Sequence, residues 1–171
     1  MSGSPQKMIL TDVETGEARE VLFNPTEVTI EGDPEWTRVK IPAFSYKRLN
    51  FDAKANDVVS FKLIIDALAD NAQETNHLEN MVAFLASLRC PPDDPETIET
   101  AAPHEVLLIW PGWLALVGVV TKCQFKATRF APPTLNPNPV PTRMECSLAI
   151  EESRSLPMGA ESTRLVGFNR G

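Results

Sequence analysis

The sequence predicts a mainly β protein, an antiparallel β-barrel or sandwich with one flanking α-helix and a long β-hairpin. Apolar and polar residues alternate with period 2 from Trp113 to Arg129 and again from Val140 to Glu151, as in strands with one wet face. The 15 prolines cluster in connections, which is typical of a turn-rich β fold. Apolar residues recur with a sustained helical spacing in one stretch, from Leu78 to Leu88.

The length and charge of the chain limit what it can be. We expect its 171 residues to form a β-barrel domain over residues 1–152, followed by an extended arm or disordered tail over residues 153–171. A net charge of −7 disfavours nucleic-acid binding, which needs Lys and Arg to neutralise phosphates. Residues 1–5 lack the apolar core of a signal peptide. The apolar residues near Val106 to Val120 are too broken to span a bilayer, so we expect a cytoplasmic protein.

Short strands are expected at the N-terminus. Lys7 to Leu10 and Glu17 to Phe23 flank a polar turn and form a first hairpin, with Val21 and Phe23 on one face. Thr26 to Ile30 is a third strand.

The next segments mix one weak strand with two stronger ones. Pro42 makes Trp36 to Phe44 an edge or a loop rather than a central strand. Tyr46 to Phe51 and Val58 to Ile65 alternate as strands. They lie either inside a closed barrel or at an edge that pairs across a subunit boundary.

One helix and one acidic loop come next. Asn76 fits an N-cap with Glu79 as its capping-box partner, and Pro91 with Pro92 ends the helix. The apolar stripe consists of Leu78, Met81, Val82, Leu85 and Leu88. Residues 91–103 form an acidic loop of a length that is usually functional or disordered.

The long hairpin occupies Glu105 to Glu151. Val106 to Trp110 is a strand, and Pro111 and Gly112 supply the two central residues of a type II turn. On the central strand we expect an apolar face of Trp113, Ala115, Val117, Val119, Cys123, Phe125 and Ala127, and a polar face of Lys122, Gln124, Lys126 and Thr128. The closing strand places Val140, Met144, Cys146, Leu148 and Ile150 on one face and Arg143, Glu145, Ser147 and Glu151 on the other.

The link between these two strands, Ala131 to Pro141, is rich in proline and asparagine. It is either a stiff, exposed loop in polyproline II conformation or a contact finger that loses little entropy when it docks on a neighbouring subunit.

Catalytic and metal-binding motifs are absent from the sequence. Neither His77 nor His104 has a Cys or carboxylate at metal-ligand spacing, so we expect no catalytic residue, no metal and no cofactor. Cys123 and Cys146 fall on the apolar strand faces and are interpreted as buried free thiols, with a cross-strand disulfide as the alternative.

Two functions of other classes remain open. The first is a small-molecule-binding β-barrel with Trp110, Trp113 and Phe125 lining its cavity, against the more common role of such aromatics in a core. The second is a hydrolase that uses Cys90 with His77 or His104, although Cys90 is far from a helix N-terminus that would activate it.

The order of several landmarks resembles the tube proteins of contractile injection systems, which are phage-tail-like particles. Phe23-Asn24-Pro25 is followed by Trp36, Ile41-Pro42 and a strand that ends in Asp66. The second half continues with the helix, an apolar strand that ends in Trp110, Gly112, Gly118-Val119-Val120, and an alternating strand that reaches Phe130 and Pro132 before the closing strand. The resemblance covers about residues 7–151.

The resemblance implies a structural, non-enzymatic role. Within that family the chain is most similar to the adaptor, or tube initiator, between the spike or hub and the inner tube, and the main inner-tube protein is the alternative. The implied partners are further copies in a homohexameric ring, the spike or hub protein, the inner-tube protein and baseplate components. The particle would assemble in the cytoplasm and be docked at a membrane or released.

Two features depart from the family pattern. About twenty residues follow Glu151, too few for the peptidoglycan-binding LysM module that many members carry, so a role in peptidoglycan recognition is not expected. The proline-rich link looks longer than the usual turn, which marks it as a system-specific contact.

Two sets of residues are therefore candidates for assembly. The predicted contacts between subunits or rings are Pro132, Pro133, Leu135, Asn136, Pro137, Tyr46, Lys47 and Arg48. The predicted channel-facing polar residues are Lys122, Gln124, Lys126, Arg143 and Glu145.

Overall fold

The structure is a computed structural model that describes residues 6–42, 45–68, 77–91, 102–132 and 138–153. In chain order the strands are β1 (Ile9–Asp12), β2 (Ala18–Glu20), β3 (Val28–Glu31), β4 (Pro34–Lys40), β5 (Lys47–Lys54), β6 (Val58–Asp66), β7 (Val106–Trp110), β8 (Leu114–Phe130) and β9 (Pro141–Glu152). The helix α1 (His77–Ser87) lies between β6 and β7 in sequence. The mainly β fold with one helix is confirmed.

Seven strands form one antiparallel sheet that curls into a half-barrel, in the order β2-β1-β7-β8-β9-β6-β3. The long hairpin of β8 and β9 lies at its centre, and β2 and β3 are its edges. The remaining strands, β4 and β5, pair only with each other in a second sheet, which we call the outer hairpin. Because β4 follows β3 and β5 precedes β6, the outer hairpin continues from the end of the β3–β6 ladder at the β3 edge of the half-barrel.

The core lies on one face of the curled sheet and beneath the helix. Val59, Phe61, Leu63 and Ile65 alternate along β6 and are all buried, as the sequence predicts. The predicted helical stripe is confirmed: Leu78, Met81, Leu85 and Leu88 are buried and Val82 packs against them. The sequence did not identify Phe84, which is also buried. Asn76, the predicted N-cap, lies outside the described residues.

The turn between β7 and β8 has the predicted geometry. Gly112 has φ +79°, and the backbone N–H of Trp113 donates to the carbonyl of Trp110 at 3.0 Å. Both features are those of a type II turn, whose third residue needs a positive φ.

The predicted faces of β8 are wrong in its first half. Leu114, Leu116 and Gly118 face the core, whereas Ala115 and Val117 are exposed. The cause is a β-bulge: Val120 pairs with Ile150 but Lys122 pairs with Ala149, so Thr121 is an extra residue in the ladder. One inserted residue reverses the alternation, and the odd-numbered Cys123 and Phe125 therefore face the core side beyond it.

One further expectation near the N-terminus needs correction. Val21 and Phe23 do not share a face, because β2 ends at Glu20 and the chain after it buries both Val21 and Leu22 while Phe23 is exposed. The expectation of an edge or a loop for Trp36 to Phe44 agrees with the described residues: β4 pairs only with β5 and is therefore an edge strand, and Pro42 lies beyond its end, where it removes no ladder hydrogen bond. Within the described residues, no helix is both long and apolar enough to cross a bilayer.

The corrected faces of β8 predict different costs for two adjacent substitutions. Leu116→Ala is expected to lower the free energy of unfolding by about 2–5 kcal/mol, because Leu116 is 2% exposed in the core. Val117→Ala is expected to cost less than about 1 kcal/mol, because Val117 is 38% exposed. Urea unfolding of the two variants measures both values, and a larger loss for Val117→Ala would contradict the assigned faces.

Candidate interaction surfaces

The five polar residues predicted to face a channel lie together on one face of the β8–β9 ladder. Lys126 pairs with Glu145, and Lys122 and Gln124 occupy alternate positions before it on the same side. Arg143 precedes Glu145 by two residues on β9 and therefore points to the same side. We call this surface the polar face; it lies on the opposite side of the sheet from the buried Cys146 and Leu148.

The charges of the polar face are only partly paired. The ammonium of Lys62 is 3.9 Å from the Glu145 carboxylate, and Arg143 Nε is 3.8 Å from Asp66 Oδ2. Both pairs are at the outer limit of an ion pair and partly exposed, so they contribute little to stability. A groove of about 420 Å³ opens on this face, and its lining includes Ser60, Lys62, Lys122, Ser147 and Ala149.

The other predicted contacts divide between the outer hairpin and the proline-rich link. Lys47 pairs with Lys40 at the far end of the outer hairpin, and Tyr46 and Arg48 adjoin it. All three side chains are exposed. Pro132 follows the end of β8 and is exposed. Pro133, Leu135, Asn136 and Pro137 lie outside the described residues, as does the tail from residue 154 onward.

The outer hairpin carries an aromatic pair that the sequence analysis missed. Trp36 on β4 pairs with Phe51 on β5, and their rings meet edge to face with centroids 5.4 Å apart. Trp36 is 49% exposed and Phe51 is 55% exposed. Neither strand alone signals the pair, because only the register of β4 against β5 brings Trp36 opposite Phe51. An isolated two-stranded hairpin is marginally stable in water, so exposed aromatics on one indicate a surface that another molecule covers.

Two cysteine thiols meet beneath the helix. Cys123 Sγ lies 3.8 Å from Cys146 Sγ and 3.7 Å from the Leu85 carbonyl. The hydrogen bond from Cys146 lowers the pKa of Cys123 despite partial burial, and the nearby Arg89 guanidinium acts in the same direction. The hydrogen bond to Cys123 and burial raise the pKa of Cys146. Both cysteines are free in the structure, as the first interpretation expected, but only Cys146 is buried and Cys123 is half-buried.

A histidine joins the start of β7 to the turn after β1. His104 Nδ1 is 2.9 Å from Asp12 Oδ2, and its Nε2 is 3.1 Å from Glu14 Oε2. The hydrogen bond to Asp12 raises the pKa of His104, burial opposes it, and the charges of both carboxylates add to the rise. Burial raises the pKa of Asp12, but hydrogen bonds from His104 and from the N–H groups of Thr15 and Glu14 outweigh it and leave that pKa lowered.

This cluster predicts a pH-dependent stability. Because the folded-state pKa of His104 is raised above 6.5, its contribution is complete below about pH 6.5 and is lost as the pH rises through the folded value. The Asp12 contribution is lost only as the pH falls through its lowered pKa, below about 3.8. We expect His104→Asn to cost about 1–2 kcal/mol at pH 5.5 and clearly less at pH 8.5, by urea unfolding at both values. A cost independent of pH would contradict the charged pairing.

The residues of the two alternative functions are placed differently. The rings of Trp110 and Trp113 meet edge to face with centroids 5.1 Å apart, and both residues pack with Phe125 against the core. None of the three lines the groove on the polar face. Cys90 is exposed just beyond α1, whereas both ring nitrogens of His104 contact carboxylates. Within the described residues, no group of three or more His, Cys, Asp or Glu side chains is arranged to hold a metal ion.

Comparison with known proteins identifies one family. Residues 6–159 match the family model described as contractile injection system tube protein. Among solved structures, the chain is similar to one from the tail of an empty GTA particle, obtained by helical refinement with C6 symmetry. That similarity has 13% identity and a TM-score of 0.45, covering 94% of this chain and 99% of the other. None of the curated proteins compared with the chain matches it.

Proposed function

The chain belongs to the contractile injection system tube protein family, and we propose that it forms the adaptor ring that joins the spike or hub to the inner tube and initiates tube assembly. The observation that carries the proposal is the outer hairpin, whose described side chains are all exposed, aromatic residues included. A single subunit leaves this apolar surface exposed to solvent, and an assembly covers it with another subunit.

Closure of a ring would cover the two surfaces that a single chain leaves exposed, which are the sheet edges and the outer hairpin. The half-barrel ends in two short edge strands, β2 and β3, and pairing or covering them with neighbouring copies removes the hazard of open edges. Six copies related by rotation would place the outer hairpin against an adjacent copy, with Tyr46, Lys47 and Arg48 at its tip.

The polar face supplies the wall of the channel in this proposal. Lys122, Gln124 and Lys126 are exposed, and Arg143 and Glu145 are half-buried beside them. This side of the sheet can therefore contact water in a channel while the core on the other side stays buried. The proline-rich link at the end of the β8–β9 hairpin, with Pro132, Pro133, Leu135, Asn136 and Pro137, would contact the adjoining ring.

An adaptor is distinguished from the main inner-tube protein by what it binds. The acidic segment 91–103 and the residues after Glu152 favour the adaptor, because a uniform stack of identical rings does not need such additions. The two roles predict different behaviour of the purified chain.

The test combines light scattering after sizing chromatography with capture on immobilised spike/hub and inner-tube proteins. We expect a discrete particle of six times the 18.9 kDa chain mass that binds both partners. Open-ended tubes formed by the chain alone would assign it to the main inner tube instead. A chain that stays monomeric at high concentration and binds neither partner would contradict the proposed function altogether.

A further inference from the structure

The first half of β8 is apolar on both of its faces. Leu114 and Leu116 face the core, but Ala115, Val117 and Val119 on the other face are also apolar and remain exposed or half-buried. A strand that is apolar on both faces is typical of a sheet that is covered on both sides. Among the residues that the structure describes, none covers this second face of β8.

The neighbouring strands extend this surface. Ala115 pairs with Ile109, which pairs in turn with Ile9, and Val117 pairs with Leu107 in the next row. Paired residues of an antiparallel ladder point to the same face of the sheet, so these side chains are contiguous. We call this surface the apolar patch: Ile9, Leu107, Ile109, Ala115, Val117 and Val119.

Carboxylates stand at two edges of the apolar patch. Glu20 on the edge strand β2 pairs with Ile9, and Glu151 on β9 pairs with Val119, so both point to the same face as the patch. Glu20 is exposed and Glu151 is half-buried. The patch thus has a carboxylate at each of two edges, and Lys122 of the polar face follows Val119 beyond the bulge on the same side of β8.

The outer hairpin presents the complementary surface. Trp36, Leu49 and Phe51 lie on one of its faces, because Trp36 pairs with Phe51 and Arg38 pairs with Leu49. The same register puts Arg38, Lys40 and Lys47 on that face beside the apolar residues. Residues 34–54 contain five Lys or Arg and two Asp or Glu, which gives the hairpin a charge of +3 and leaves −10 on the rest of the chain.

The two surfaces are separated within one chain. The outer hairpin extends from the β3 edge, whereas the apolar patch lies on β1, β7 and β8, with β9 and β6 between them in the sheet. The exposure of Trp36 and Val117 shows that neither surface is covered by the other in the monomer.

Building on the proposed function, we propose that the apolar patch is the docking site for the outer hairpin of a second copy of this chain. The aromatic pair covers the rows around Val117 and Ile109, and the basic residues of the hairpin meet Glu20 and Glu151. The contact is heterologous, since different surfaces of the two copies meet, so repetition generates a ring or a stack rather than a closed pair. The same arrangement makes assembly weaken as salt increases.

Cross-linking between two differently substituted copies tests the docking site. One copy carries Phe51→Cys and the other Val117→Cys, both with Cys90→Ser to remove the exposed native thiol. The copies are mixed at high salt, brought to low salt and mildly oxidised. The matched control replaces Val117→Cys by Gln124→Cys, which is exposed on the polar half of the same strand. We expect a cross-linked dimer with Val117→Cys in at least tenfold excess over the Gln124→Cys control.

The outcomes separate this inference from the proposed function. If the copies assemble but Phe51→Cys joins Gln124→Cys equally well, or joins neither variant, the docking site is wrong while ring formation stands. If the native chain, run in parallel at low salt, stays monomeric and captures neither the spike/hub nor the inner-tube protein, both the docking site and the proposed function are wrong.

Discussion

Replacing Trp36 and Phe51 together with serine is expected to abolish assembly while leaving the subunit folded. Aromatic side chains at the centre of an interface commonly contribute 2 kcal/mol or more each, so the apparent dissociation constant should rise by at least about 100-fold. The melting temperature of the monomer should change by less than about 2 °C, because both side chains are roughly half exposed and pack mainly against each other.

A matched control lies on the opposite face of the same hairpin. Asn50 pairs with Thr37, is exposed, and points away from the aromatic pair. Asn50→Ala should assemble as the native chain does. Light scattering across a concentration series compares the three proteins, and normal assembly of the Trp36→Ser, Phe51→Ser variant would show that the outer hairpin is not the contact surface.

Gly118→Ala is expected to be among the most destabilising single substitutions in the chain. A Cβ at this position would lie 2.1 Å from the Glu151 carbonyl oxygen and 3.0 Å from Ile150 Cγ2. The nearest group is backbone, which no side-chain rotation can move, so β9 itself must shift within the central ladder. We expect a loss of about 3 kcal/mol or more in the free energy of unfolding, and a fall in melting temperature of about 10 °C.

Gly112→Ala separates this steric cost from the ordinary cost of replacing glycine. Gly112 has a positive φ but no atom within 4 Å of the added Cβ, so its substitution strains the turn without a clash. That strain should cost about 1 kcal/mol. Thermal unfolding of both variants decides the matter, and a larger loss for Gly112→Ala would mean that β8 and β9 are not as close at Gly118 as the structure shows.

The sequence predicts local structure well wherever one rule acts alone. The alternation of β6, the helical stripe from Leu78 to Leu88 and the type II turn at Gly112 each follow from a single pattern, and the structure has all three. The faces of β8 were mispredicted because a β-bulge leaves no compositional mark: Thr121 is an ordinary strand residue, and only pairing with β9 reveals it as an extra one.

Of the candidate surfaces, the sequence predicts some and not others. The polar face was identifiable from the sequence, because Lys122, Gln124 and Lys126 alternate in the part of β8 that follows the bulge at Thr121. The apolar patch was hidden, because the run from Leu114 to Val120 is apolar throughout and periodicity cannot assign either face. In the outer hairpin, the strand Tyr46 to Phe51 and its contact residues were predicted, but the aromatic pair was missed. Only the register of β5 against β4 places Phe51 beside Trp36, and a single sequence does not display that pairing.

The central claim is that copies of this chain build a channel whose wall is the polar face. Cryo-electron microscopy of the assembly formed by the native chain at low salt tests it most directly. The account predicts rings with an open centre, lined by Lys122, Gln124 and Lys126, with the outer hairpin of each copy seated on another copy. Rings lined instead by the helix α1, or an outer hairpin that projects into solvent from every copy, would contradict it.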